Sequence, residues 1–165
     1  VRESTVCTLA RCVPSDLELA AKAIEKAQQG RIHVFIATSP VHMEHKLKLT
    51  PDEVFEAART SIRQARNACD DIEFSCEDAT RSDKEFLYRI VEMAIREGAT
   101  TINLPDTVGY SASAEYGQLF QDVLEKVPGA DQIVLSGHCH NDLGLAVASS
   151  IKTIFVFLIN SARIS

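Results

Sequence analysis

The sequence predicts an α/β protein, an incomplete (β/α)8 (TIM) barrel. Three observations lead there. Strand-like runs start near residues 32, 72, 101 and 132, about 30 to 40 residues apart, the length of one strand–helix unit. Each of these runs ends in a chemically loaded stretch, "TSPVHMEHK", "CEDATRSD", "PDTVGYS" and "CHNDLG", whereas the helix-to-strand turns "QQGR", "EGAT" and "PGAD" are bland. A barrel gathers its site from the loops after all its strands. Finally, no GxGxxG or GxxxxGK turn marks a nucleotide-binding, doubly wound sheet. Five strands cannot close an eight-stranded barrel, which usually takes about 250 residues.

The elements follow in order. "STVCTLA" is a short β-rich run, and "PSDLELAAKAIEKAQQG" is a helix with Ser15 and Glu18 as its capping box and Gly30 as its stop. "RIHVFIA" is the next strand. Thr50, Pro51 and Glu53 supply the N-cap, first position and capping partner of a helix running to about Ala68. "DIEFSCE" is a third strand, followed by a helix opened by Ser82 and Glu85 and ending near Gly98. "TTINL" is a fourth strand, a helix covers roughly 113–127, Pro128-Gly129 breaks it, and "QIVLSGH" is the fifth strand.

Composition narrows the function classes. A net charge of −6 argues against nucleic acid or an anionic membrane as partner, because binding phosphates needs clustered Lys and Arg. Five cysteines without a CxxC pair fit neither a disulfide framework nor a zinc knuckle, and suit a reducing compartment. With no initiator Met and no leader pattern, the chain is expected to begin partway into something longer. "IFVFLI", Ile154–Ile159, is too short to cross a bilayer.

The candidate chemistry sits at strand ends. His138 and His140 are two apart, so on a strand both project to one side with Cys139 directed away. They are either ligands of a first-row divalent metal, with Asn141 and Asp142 to orient them, or histidines that merely cap a strand end. Glu77 and Asp78 are candidate acid/base groups at the same rim, or else solvated loop carboxylates. Thr107 either hydrogen-bonds a substrate carboxylate or caps the next turn. His33, inside an apolar strand, reads by itself as a satisfied core residue. His42 and His45 have HxxH spacing without the Glu of HExxH, a weak metal signal. Cys76 and Cys139 lack a thiolate-activating partner and read as structural.

These stretches resemble a known family. "LSGHCHNDLGLAVA" fits the second signature of the α-isopropylmalate and homocitrate synthases. "STVCTLAR", "RIHVFIATSPVHMEHKLKLTPDEV", "DIEFSCEDATRSDKEFLY" and "TTINLPDTVGYSASAEYGQL" are similar to that family's third to sixth barrel strands, so about strands 3 to 7 are present. The resemblance implies a (β/α)8 barrel acyltransferase, closest in text to the 2-isopropylmalate synthases of leucine biosynthesis. Such an enzyme joins the methyl of acetyl-CoA to the keto carbon of 3-methyl-2-oxobutanoate and then hydrolyses the thioester. It implies a divalent cation (Mn, Mg or Zn) held by His138 and His140. It further implies a keto-acid site of His33, Ser75, Glu77 and Thr107, with Glu77 and His33 as the catalytic pair, and a homodimeric family. Homocitrate or citramalate synthase is the alternative. A 3-hydroxy-3-methylglutaryl-CoA lyase is disfavoured, because those read HxHDT where this chain has His140-Asn141-Asp142. The family's LR[D/E]GxQ signature, with its metal-binding Asp, is absent, and "IKTIFVFLINSARIS" resembles none of the family text. Residues 1–150 are therefore expected to be a partial catalytic barrel and 151–165 an atypical tail. On that reading the chain is a truncated, inactive form or a fragment associating with a full-length partner. The cytoplasm, or a plastid stroma, is the expected compartment.

Overall fold

Parallel neighbours joined through a helix cross over right-handed, so when spatial order follows chain order every helix lands on the same face. The computed structural model, which describes residues 2–161, has this arrangement: a five-stranded parallel sheet in the order β1-β2-β3-β4-β5. The strands are β1 (Val6–Arg11), β2 (Gly30–Ala37), β3 (Asp71–Glu77), β4 (Thr101–Asp106) and β5 (Val134–Cys139). The helices are α1 (Pro14–Ile24), α2 (Pro40–His42), α3 (Pro51–Arg66), α4 (Lys84–Arg96), α5 (Ser113–Lys126) and α6 (Ala146–Ser161). A doubly wound sheet would reverse its strand order at a switch point. None occurs among these strands, and the incomplete barrel expected from the sequence is what forms.

Period-two alternation divides the sheet into a helix side and an inner side. Ile32, Val34, Ile36, Ile72, Phe74, Cys76, Ile102 and Leu104 are buried on the helix side, where each contributes on the order of 1.5–3 kcal/mol through burial. The inner side is polar and hydrogen-bonded across strands. Arg31 reaches both Asp71 (2.9 Å) and Glu73 (3.1 Å). One row higher, the Ser75 hydroxyl donates to Asn103 Oδ1 (2.8 Å) and Asn103 Nδ2 donates to Ser136 Oγ (2.9 Å). Leu9, on the edge strand β1, is 65% exposed on this side.

Helix starts follow local chemistry where a cap is free to act. Thr50 and Glu53 form the full capping box, with Pro51 first in α3, as the sequence predicts. Four expectations are corrected. The α4 cap is Asp83, whose carboxylate accepts from Phe86 N (2.9 Å); Ser82 instead bonds Thr38 Oγ1 (2.7 Å) and the Asp78 carbonyl (3.0 Å). α1 opens at Pro14 with no side-chain cap, so Ser15 and Glu18 form no box. It also stops at Ile24, and Gly30 begins β2, where a Cβ would meet Ile24 Cδ1 at 3.0 Å. β4 continues through Pro105 to Asp106, two residues beyond the expected end. The "TSPVHMEHK" loop contains α2 and a π-helical turn, Met43–Leu47, closed by Lys48 in the left-handed region (φ 56°).

α6 runs unbroken across Ser150, where the sequence text changes character. It packs on α5 through Phe120 and Phe157 (6.2 Å between rings) and through Ser113 and Ser149 (3.2 Å). Among the described residues no helix is long and apolar enough to cross a membrane. α4 and α5 are joined at buried Asp122, which accepts from Lys84 (2.7 Å), Gln118 (2.8 Å) and Tyr88 (3.1 Å). Burial opposes the Asp122 charge, yet these three donors hold its carboxyl down at about 2. A carboxyl depressed in the folded state stabilises above its unfolded pKa, and that stability is lost as pH falls toward 2. Asp122→Ala is therefore expected to cost about 2 kcal/mol at pH 7 by urea denaturation, the difference from wild type shrinking as the pH is lowered from 4 toward 2.

Candidate active site

The C-terminal ends of all five strands lie along one edge of the sheet, and the residues there with inward parity meet. His33, Ser75, Glu77, Thr107 and His138 line one hollow of about 210 Å³, with Leu9, Phe35 and Pro105 as its apolar walls. Register brings them together: Pro105 pairs with His138, and Glu77 pairs with Ala37. Of the sequence-predicted site residues, His140 and Asp78 stand outside this lining, as do Asn141, Asp142, His42 and His45. A larger cavity of about 600 Å³ lies behind α2, between Pro40, Met43, Leu49, Pro51 and Phe86, and contains none of them.

His138 is on β5, and His140 is one residue past its end, with its N–H donated to the Asp106 carbonyl (3.2 Å). The two rings stack on the same side, 5.1 Å between centroids and 28° between planes. Cys139 goes the other way, against the core beside Ser150. The phenol of Tyr116, fully buried in α5, is inserted between β4 and β5. It donates to the Leu104 carbonyl (2.5 Å) and accepts from the His138 N–H (3.2 Å). Burial pushes the Tyr116 hydroxyl far above its ordinary value, so it remains a donor at any working pH. Imidazoles suit a first-row divalent metal. Among the described residues no third His, Cys, Asp or Glu joins them, so this segment offers part of a donor set.

The remaining residues are electrostatically distinct. His33 has a buried Nε2 with no hydrogen-bond partner, its nearest charge being Glu73 Oε1 at 3.9 Å. Burial lowers its pKa, against the pull of Glu73, so the ring is neutral near pH 7 and has an unused nitrogen. That is not the satisfied core histidine its apolar strand suggests. Glu77 is bound through both oxygens by Lys46 Nζ (2.6 and 2.8 Å), an ion pair in which its carboxylate serves as an acceptor. Lys46 escaped sequence reasoning, because only the π-helical turn carries it over the end of β3. Asp78 is no rim acid or base. Its side chain is 0% exposed and bound by Arg81 (2.8 Å) and by His42 Nδ1 (3.0 Å). His45 is exposed beside Glu44, so His42 and His45 form no pair.

Asp106 organises the loop that carries Thr107. Its carboxylate accepts from Thr80 Oγ1 (3.2 Å), Tyr110 N (3.3 Å) and Ser111 N (3.1 Å). Gly109, at φ 61°, lies so close to the His140–Asp142 segment that a Cβ would stand 2.4 Å from Asp142 Oδ2.

A singly wound parallel sheet with its polar side chains converging at the strands' C-terminal ends is one arc of a (β/α)8 barrel. The chain belongs to the HMGL-like family, whose sequence model matches residues 1–155. It is 56% identical over 154 residues to a 2-isopropylmalate synthase of Aquifex aeolicus, covering 93% of this chain and 30% of that protein. To the 2-isopropylmalate synthase of Caulobacter vibrioides it is 59% identical, covering 93% of this chain and 29% of that protein. The chain thus spans about 30% of the length of these bacterial relatives. In fold it is similar to the HMG-CoA lyase of Bacillus subtilis, with a TM-score of 0.72 at 18% identity over 91% of this chain and 50% of that one. The carboxyl transferase domain of Rhizobium etli pyruvate carboxylase matches with a TM-score of 0.65 at 16% identity, over 91% of this chain and 25% of that one.

Tyr116→Phe removes a hydroxyl that satisfies two buried backbone groups, at a cost of about 1–3 kcal/mol. Urea denaturation is expected to show that loss, and the imidazole NMR signals of His138 are expected to shift while those of His45 stay in place.

Proposed function

We propose that this chain is the keto-acid-binding arc of a 2-isopropylmalate synthase, which condenses acetyl-CoA with 3-methyl-2-oxobutanoate in leucine biosynthesis. One observation carries the reading: His33, Ser75, Glu77, Thr107 and His138 line a single hollow in a chain 53–59% identical to synthases of that name. The HMG-CoA lyases, at 16–21% identity, share the fold alone, which favours synthase over lyase chemistry. Homocitrate and citramalate synthase remain the alternatives within the family, and a 2-oxo-acid panel separates them.

In this reading the Thr107 hydroxyl donates to the keto acid's carboxylate, and neutral His33 lines the wall beside the keto group. Leu9, Phe35 and Pro105 form the apolar wall for the isopropyl group. A divalent cation (Mn, Mg or Zn) held by His138 and His140 would polarise the keto carbonyl as a Lewis acid. The methyl group of acetyl-CoA loses a proton, its carbon attacks the keto carbon, and the resulting alkoxide takes a proton. Water then cleaves the thioester to carboxylate and free thiol. Glu77, steadied by Lys46, accepts a proton or orders that water. Residues 1–150 act as the barrel segment, with 151–165 atypical in sequence, in a cytoplasmic homodimeric enzyme.

Thiol release from acetyl-CoA is the test. Assembled with the complementary barrel segments, the chain is expected to turn over 3-methyl-2-oxobutanoate in preference to other 2-oxo acids. Glu77→Gln is expected to lower kcat by about 100-fold with KM little changed, the mark of a group acting in proton transfer. Loss of Mn²⁺ binding in His138→Ala, followed by calorimetry, checks the ligand role. Turnover of no 2-oxo acid by that assembly would overturn the assignment, whereas an inactive isolated chain leaves the fragment reading.

A further inference from the structure

We propose that Asp78 is a positioning residue that aims the Thr107 hydroxyl proton into the hollow. The proposal rests on the keto-acid reading of that hollow. The Asp78 backbone N–H donates to Thr107 Oγ1 at 2.9 Å. A threonine hydroxyl has one proton and two lone pairs. With one lone pair taken by an N–H, the proton is directed away from β3, and it is the group a substrate carboxylate needs. Without that N–H the hydroxyl is a free rotor that offers a carboxylate lone pairs as readily as its proton.

The N–H points there because Asp78 sits in the left-handed region, at φ 65° and ψ 38°. For a side chain other than Gly this conformation is unfavourable, although Asn and Asp tolerate it best. The surroundings hold it in place from several elements. Arg81 grips both carboxylate oxygens through Nε (2.8 and 3.0 Å), and His42 Nδ1, from α2, approaches Oδ2 at 3.0 Å. The Asp78 carbonyl accepts from Ser82 Oγ (3.0 Å), itself bonded to Thr38 at the end of β2 (2.7 Å). The loops after β2, β3 and β4 thus converge on one fully buried residue whose side chain never reaches the hollow. Nothing in a βα connection requires so many tethers on a strained residue, and the outward consequence of the strain is the orientation of Thr107.

The test compares Asp78→Asn, Asp78→Ala, Thr107→Val and the double variant in the assembled enzyme. Asparagine keeps the left-handed conformation and an acceptor for Arg81, so Asp78→Asn is expected to hold KM for the 2-oxo acid within about threefold. Asp78→Ala is expected to raise that KM by about tenfold while KM for acetyl-CoA stays within about twofold. Added to Thr107→Val, Asp78→Ala is expected to raise KM no further, because it acts through the same hydroxyl. Additive effects, or equal rises in both KM values, would overturn the proposal. A second measurement needs neither activity nor an Asp78 variant. Amide hydrogen exchange at Asp78 is expected to be slow in the wild type and faster by about tenfold or more in Thr107→Val, as its partner is lost. Unchanged exchange would overturn the proposal too. An absence of turnover in the wild type would sink only the functional reading, since the exchange comparison still decides the Asp78–Thr107 bond.

Discussion

A one-residue slip in any of these parallel strands would carry its whole apolar set to the wrong side of the sheet. The register sets Val34 between Ala10 and Phe74, and Phe74 opposite Ile102, so the buried faces coincide across the sheet. The same pairing places the inward residues in rows, with Ser75, Asn103 and Ser136 forming one and Pro105 and His138 the next. The hydrophobic effect fixes the register through the helix side. The chemistry of the inner side then follows from parity, and no separate interaction is needed to gather it.

What the strands place, the loops orient. Asp106, Asp78 and Tyr116 are buried polar residues that spend their hydrogen bonds on backbone and loop partners near the hollow. Each links consecutive βα units: Tyr116 joins β4 to β5, Asp106 joins Thr80 to the loop beyond β4, and Asp78 joins three loops. Buried networks of this kind are costly when half satisfied. Here they are largely satisfied, while His33 Nε2 and Thr101 Oγ1, both on the inner side, are the buried side-chain atoms left without a partner among the described residues. The inner side is thus rigid in its frame and open in its chemistry.

Legibility from sequence follows how local each interaction is. The pattern of β2 alone makes His33 a core residue, and only the family resemblance groups it with Ser75, Glu77 and Thr107. Parity along β5 is readable, since alternation is a property of one strand, and it sets His138 and His140 on one side. The Thr50–Glu53 box was readable for the same reason. The α4 cap was not: Ser82 and Asp83 are both good caps, and the choice falls to Asp83 because Ser82 is drawn away by Thr38 and Asp78. Gly30 looked like a helix stop only because the end of α1 leaves no mark of its own. Lys46 on Glu77 and Asp78 on Thr107 span 31 and 29 residues, and no single-strand or single-helix pattern encodes such pairs. Metal ligation beyond two histidines was likewise beyond reach, since the complementary donors are not in the described residues.

The placement of substrate at the strand tips is tested most directly by a ¹⁵N NMR titration with 3-methyl-2-oxobutanoate in the presence of Mg²⁺. Amide signals of Glu77, Asp78, Thr107 and His138 should move together and saturate at one concentration, while those of the opposite edge, at Gly30, Gly98 and Gly129, stay still. Shifts centred on that opposite edge, or no saturable shift anywhere on the sheet, would contradict it.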